Sequence, residues 1–169
     1  MIRPPLSLLA AGLAILIGMA GLVRGAVPQS TGSVSSSSSS AAPIVVSGAY
    51  VREPATPNNA AAYFTVSNTT GTDDVLTSVA SGAGGQAAVH TEDAGGSMTL
   101  MSSGLVVPAH SSVTLAPGKG HVMIEQLYGT LRPGQTVNLQ LTFAHAGQVL
   151  VTAPVIAIAS PAPTAGPTK

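Results

Sequence analysis

The chain has 169 residues, of which six are Lys or Arg and six are Asp or Glu. That length suits one domain of ordinary size, and the balanced charge excludes the basic face that nucleic-acid binding requires. With only three Tyr, two Phe and no Trp, the core must come mainly from aliphatic residues, which favours β-strands.

Residues 1–26 are predicted to be a signal peptide or a signal anchor. Arg3 precedes an apolar stretch at residues 6–17, and small residues follow at 18–20, which is the pattern of an export signal. If it is not cleaved, the segment 6–23 is long enough to serve as a membrane tether. The sequence contains no cysteine to be lipidated. We therefore expect an exported protein, periplasmic or otherwise extracytoplasmic, either secreted or held by its signal.

Two segments of low complexity flank the expected folded unit. Residues 27–42 include six consecutive serines at 35–40, and such a Ser-rich tract behaves as a flexible linker. Residues 160–169 are mostly Pro, Ala, Thr and Gly, a composition typical of a disordered tail. A single domain is predicted between them, at residues 43–159.

Within that domain the sequence predicts strands and no helix. Short β-rich runs, several with alternating apolar and polar residues, are separated by turns rich in Gly, Pro, Asn and Asp. The runs are residues 44–50, 61–67, 75–80, 86–91, 97–101, 112–115, 121–127, 136–143 and 149–158. This pattern indicates an all-β fold, an antiparallel β-sandwich or barrel.

Soft metal ligands cluster in one window of this domain. Apart from Met1 and Met19, every methionine lies between residues 90 and 123, together with three of the four histidines. Thioether sulfur favours Cu(I) over Zn, Mg or Ca, and imidazole adds a firmer nitrogen ligand. The cluster, which points to copper, consists of His90, Met98, Met101, His121 and Met123.

Strand geometry would bring these side chains together. His121 and Met123 are two residues apart, so both emerge from the same face of a strand. A hairpin formed by the runs 86–91 and 97–101 would return His90 beside a methionine. Met98 and Met101 are three apart, so a regular strand presents only one of them to a metal. Taken singly, each residue also suits a core methionine or a surface histidine.

A resemblance covers nearly the whole domain. The segments Ala49-Tyr50-Val51-Arg52-Glu53-Pro54 and 59–68, then Val89-His90-Thr91, 107–109, 115–118 and His121-Val122-Met123, resemble the PCu(A)C periplasmic copper chaperones in content and order. Leu141-Thr142-Phe143 and residues 151–155 are similar to the closing strands of that family. The resemblance implies a cupredoxin-like β-sandwich or barrel of Greek-key type with a metal site near its surface.

Carried over by position, the resemblance implies His90, Met101, His121 and Met123 as Cu(I) ligands. The spacing from His90 to Met101 fits the family, whereas the interval from Met101 to His121 is two residues shorter. Met98 is therefore the alternative to Met101.

Other positions depart from the family. Tyr50 stands where the family usually has Trp, and the tail has no His or Met for a second copper site. His110 and His145 fall in turns and are interpreted as exposed turn residues.

By resemblance, the function is that of an extracytoplasmic Cu(I) metallochaperone rather than an enzyme. Its implied partners are the copper subunit of cytochrome c oxidase, whose binuclear centre would receive the metal, or a Sco-like protein. The alternative is a noncatalytic extracellular β-sandwich for adhesion or binding, with no metal. A blue-copper electron carrier is excluded because that site needs a cysteine thiolate, and the sequence has no cysteine.

Overall fold

The structure, a computed structural model, describes residues 42–163. The predicted signal or anchor segment, nearly all of the Ser-rich linker and residues 164–169 of the predicted tail lie outside the described residues. Within residues 42–163 the chain forms strands, turns and irregular segments but no helix. Accordingly, no helix that could span a membrane occurs in this part of the chain. The predicted all-β class is confirmed for the described residues.

Ten strands follow one another along the chain. They are β1 (Ile44–Arg52), β2 (Asn59–Asn68), β3 (Asp74–Ser81), β4 (Gly84–Glu92), β5 (Met98–Leu100), β6 (Leu105–Val107), β7 (Ser112–Leu115), β8 (Gly120–Leu127), β9 (Thr136–Phe143) and β10 (Gly147–Ile156). Nine of them correspond to the predicted runs. The sequence analysis missed β6, because three residues followed directly by Pro108 show too little alternation to be recognised as a strand.

The strands form one sheet in the order β5-β4-β8-β2-β1-β10-β9-β3-β6, and β7 also pairs with β2. The prediction of a purely antiparallel sheet was wrong at one pair, since β1 and β10 run parallel. All the other strand pairs of the described chain are antiparallel. Alternation of apolar residues reveals which face of a strand is buried but not the direction of its neighbour, so this parallel contact could not be read from the sequence.

The sheet curls around a single apolar core. In β2 and β9 the buried positions alternate with more exposed ones, as expected for strands with one face toward the interior. Val51 and Phe64 enter the core from one half of the sheet, and Leu139 and Leu141 enter the same cluster from the other. The opposite face of the first half, away from this core, carries the candidate site.

A bulge in β1 determines which β1 side chains reach that outer face. The pairing with β2 shifts register between Ser47 and Tyr50, and Gly48 adopts a φ of 60°, a left-handed conformation that glycine adopts at little cost. After the bulge, Val51 faces the core, while Tyr50 pairs with Tyr63 of β2 and stacks on its ring at a centroid distance of 5.1 Å.

Candidate metal centre

Pairing of β4 with β8 places two imidazoles side by side. His90 lies directly opposite His121 in the antiparallel register, and their rings are stacked with centroids 5.9 Å apart and an interplanar angle of 23°. The neighbouring Gly120 allows this close approach: a Cβ at that position would lie 2.7 Å from the carbonyl oxygen of His90. Any larger residue at 120 would therefore push the two histidine-bearing strands apart.

Strand alternation separates the site from the core. Val89 and Val122 point into the apolar cluster, so their neighbours His90 and His121 emerge on the outer face. Met123, two residues beyond His121, emerges on the same face and lines the same surface depression as His121. The prediction that His121 and Met123 share one face is confirmed.

The β4–β5 hairpin forms as predicted, but its register differs from the expected one. Leu100, not a methionine, lies opposite His90, and Met98 lies opposite Glu92. Met98 is 55% exposed and lines the depression with His121 and Met123. Met101, just past the end of β5, packs against the apolar core. The two hairpin methionines thus occupy opposite faces, as their spacing predicted.

Burial affects the two imidazoles in a way that favours metal binding. His121 is only 6% exposed, and burial, together with the nearby His90, holds its pKa below the usual histidine value, although Glu92 opposes this. Its ring therefore stays neutral at neutral pH, the form in which imidazole binds a metal. The Nδ1 atom of His90 is buried and makes no hydrogen bond. A buried polar atom without a partner within the protein is rare, and such a nitrogen keeps its lone pair or its N–H available for a ligand from outside the chain.

Two tyrosines extend the row of rings beyond His121. The ring of Tyr63 lies 6.1 Å from that of His121 at 56°, and Tyr50 stacks on the far side of Tyr63. Burial and the neighbouring Tyr50 raise the pKa of Tyr63, as does Glu92, against an opposing effect of Arg52. The sequence analysis did not assign Tyr63 to the site. Its place beside His121 depends on β2 pairing with β8, which no local sequence pattern shows.

The depression beside these rings has a volume of about 480 Å³. Its wall includes Glu92 and residues from the segment after β1, from the turn before β8 and from the C-terminal segment at Ile158. Arg52 fixes this last segment by donating hydrogen bonds to the carbonyl oxygens of Ile158 and Ser160. The site is therefore an open surface feature with one well-defined side.

The remaining histidines lie elsewhere, as predicted. His110 occupies a turn with φ 50°, and His145 is 70% exposed beside Asp74; neither lines the depression. Within residues 42–163, no three His, Cys, Asp or Glu side chains converge on a point where an ion could bind.

This fold is that of a PCuAC domain. The structure titled "Copper-bound PCuAC domain from PmoF2" is 26% identical, with a TM-score of 0.59, and the match covers 68% of this chain and 93% of that one. The solution structure of CuI-DR1885 from Deinococcus radiodurans is 28% identical, with a TM-score of 0.56, over 68% of this chain and 78% of that one.

Residues 44–155 match the family model described as "Putative lipoprotein LpqE-like", and the chain belongs to that family. A curated relative, "Putative lipoprotein Lxx21020" of Leifsonia xyli subsp. xyli (strain CTCB07), is 31% identical over 98 residues. That match covers 56% of this chain and 59% of the relative, so it spans less than two thirds of the relative's length.

Proposed function

We propose that this protein is an extracytoplasmic Cu(I) metallochaperone whose site combines the imidazoles of His90 and His121 with thioether sulfur. The observation that carries the proposal is the buried, unpartnered Nδ1 of His90 beside the buried ring of His121. Leaving such a nitrogen unpaired costs about 1–3 kcal/mol, and a bound cation would remove that cost. The titles of the similar structures, which name copper in PmoF2 and CuI in DR1885, support the choice of metal.

Met123 is the first proposed sulfur ligand because it shares the face and the depression with His121. For the second sulfur, Met101 has the spacing of the resembling family, whereas Met98 lies on the outer face. Because Met101 packs against the core, reaching the imidazoles would require it to leave that contact. Its location therefore favours Met98 as the fourth ligand and leaves Met101 as the alternative.

These ligands suit delivery more than storage. Neither thioether nor neutral imidazole has to lose a proton to bind, and none of the ligands is a thiol that an oxidising compartment would convert to a disulfide. Half-exposed Met98 can be displaced by a partner's donor without disturbing the core. We propose export through the N-terminal signal, with residues 6–23 as a membrane tether if the signal is not cleaved, and transfer toward the copper subunit of cytochrome c oxidase or a Sco-like protein.

The test is an anaerobic Cu(I) titration of the full chain in competition with a chromophoric chelator, combined with X-ray absorption to count sulfur and nitrogen neighbours. We expect one Cu(I) per chain and a large loss of affinity when His121→Ala and Met123→Leu are combined. Unchanged stoichiometry and affinity in that variant would overturn the site. Absence of Cu(I) binding by the folded wild type would instead favour the metal-free binding module.

Met98→Leu and Met101→Leu form a matched pair for the fourth ligand, since each removes one sulfur from the same hairpin and keeps an apolar side chain of similar size. We expect Met98→Leu to lower the sulfur count and the Cu(I) affinity, and Met101→Leu to leave both unchanged. The reverse result would restore Met101 as the ligand.

A further inference from the structure

We propose that the depression beside the imidazole pair is the docking groove for the copper acceptor, and that it takes an extended segment of neutral or basic character carrying a Met or His ligand. This inference rests on the proposed Cu(I) site and adds where the partner binds and what it presents. It concerns the wall residues of the depression that are not ligands themselves.

The depression gives direct access to the proposed copper position. The core closes the inner side behind Val122, and the ring of Tyr63 flanks His121 on the side of β2. His121, Met123 and Met98 instead open into the depression. A donor that replaces these ligands one at a time must come within bonding distance of the ion, and the depression is the opening that leads to all three of them.

The depression is large enough for more than a single donor atom. Its volume of about 480 Å³ lies in the range of pockets that take a drug-sized ligand. Its lining includes Ala55, Thr56, Met98, Pro117 and Ile158. Arg52, which donates hydrogen bonds to the carbonyl oxygens of Ile158 and Ser160, holds the Ile158 side in place. Such an open, largely apolar depression can accept an extended peptide segment.

The charges on the wall select among such segments. Glu53 and Glu92 contribute two carboxylates and Arg52 one guanidinium, which is already bonded to main-chain carbonyls and lies 5.9 Å from the ring of Tyr50. A bound Cu(I) adds one positive charge at its neutral ligands, so the loaded site has no net charge. The two carboxylates therefore act locally on the wall, where they repel acidic flanks of an incoming segment and attract basic ones. Specificity of this kind depends as much on the repelled partner as on the accepted one.

The test compares two tryptophan variants of the full chain. Thr56→Trp fills the depression without altering a proposed ligand, and Leu150→Trp places the same ring on an exposed position of β10 outside the depression. Each protein, loaded anaerobically with one equivalent of Cu(I), is mixed with a short fluorophore-labelled peptide containing two Met and one His, and the transfer rate is followed by stopped flow. We expect transfer to slow by about tenfold in Thr56→Trp and to remain within about twofold of wild type in Leu150→Trp.

A second part of the experiment varies the charge of the peptide and of the wall, not the size of a side chain. Peptides with Lys or Asp flanking the same ligands should receive copper from wild type at different rates, the Lys peptide faster, and Glu53→Gln should reduce that preference. Equal copper-transfer rates for all proteins and peptides, with Cu(I) affinity unchanged, would overturn the docking groove but not the proposed copper site. Failure of the folded wild type to bind Cu(I) at all would overturn the proposed function itself.

Discussion

Two regions of this domain bury polar groups in an apolar sheet, and they treat them in opposite ways. At the start of β3, Asp74 is only 4% exposed, and its carboxylate accepts hydrogen bonds from the main-chain N–H groups of Val75, His145 and Ala146 at 2.8–2.9 Å. At the β4–β8 pair, the buried Nδ1 of His90 has no partner.

The difference shows that the buried Asp74 carboxylate stabilises the folded state, whereas the buried His90 nitrogen destabilises it. A carboxylate that accepts three N–H groups ties the β3 start to the β9–β10 turn and stabilises the native state. An unpartnered imidazole nitrogen does the reverse, since it loses hydration and gains nothing within the protein. A destabilising group of this kind is expected where binding has been favoured over stability.

The largest expected effect is on folding at the first region. Asp74→Ala leaves three part-buried N–H groups without their acceptor and should lower the free energy of unfolding by about 3 kcal/mol, measured by urea denaturation. Asp73→Ala is the matched control, because Asp73 is exposed and accepts one bond, from the N–H of Ala109. Equal losses in the two variants would mean that burial does not distinguish these neighbouring carboxylates.

His90→Leu should separate stability from binding at the second region. Removing the unpartnered nitrogen is expected to raise the free energy of unfolding of the metal-free protein by about 1 kcal/mol, while Cu(I) affinity falls at least about tenfold. His110→Asn is the control, since it removes an exposed histidine at a left-handed position that Asn tolerates and should leave Cu(I) affinity unchanged. A less stable metal-free His90→Leu protein would show that the nitrogen is satisfied in solution.

Acid should weaken the first region through Asp74. Burial raises the pKa of this carboxyl, but the N–H groups of His145, Ala146 and Val75 and the charge of His145 outweigh it, so the pKa is below the usual value. Its stabilising contribution is therefore complete above the unfolded pKa of about 3.9 and is lost as the pH falls through the lower folded value. Urea midpoints of wild type should fall more steeply in this range than those of Asp74→Asn; parallel curves would contradict this.

The smallest effect is expected from the imidazole beside Asp74. His145 is 70% exposed and its Nδ1 lies 3.4 Å from the Asp74 carboxylate, an ion pair that solvent screens. His145→Ala should therefore change the free energy of unfolding by no more than about 0.5 kcal/mol at neutral pH. A loss close to that of Asp74→Ala would mean that the side chain of His145, not the main chain, holds the carboxylate.

Much of the fold could be predicted because the residue pattern within a strand is visible in a short stretch of sequence. β-rich runs bounded by turns, several of them alternating, identified nine of the ten strands, and the two-residue interval of His121 and Met123 was enough to put both on one face. The missed strand, β6, is three residues long, too short for a period to show. The parallel contact of β1 with β10 joins residues far apart in the sequence, and no local pattern encodes it.

For the candidate site, the kinds of ligand could be predicted from the sequence, but their arrangement could not. Residue chemistry and order were sufficient to nominate two imidazoles and a group of thioethers. They could not choose between Met98 and Met101, because the register of the β4–β5 hairpin decides which sulfur meets the outer face. Nor could they find Tyr63 or the depression, which depend on β2 lying beside β8.

By itself, the sequence determined the all-β class, the faces of most strands and the soft character of the ligand cluster, because these follow from side-chain chemistry and a period of two. The tertiary structure alone decided that His90 stands opposite His121, that its Nδ1 is buried without a partner, and that the depression opens beside them. Those properties depend on which strands pair and in which register, and on how much water the assembled sheet excludes.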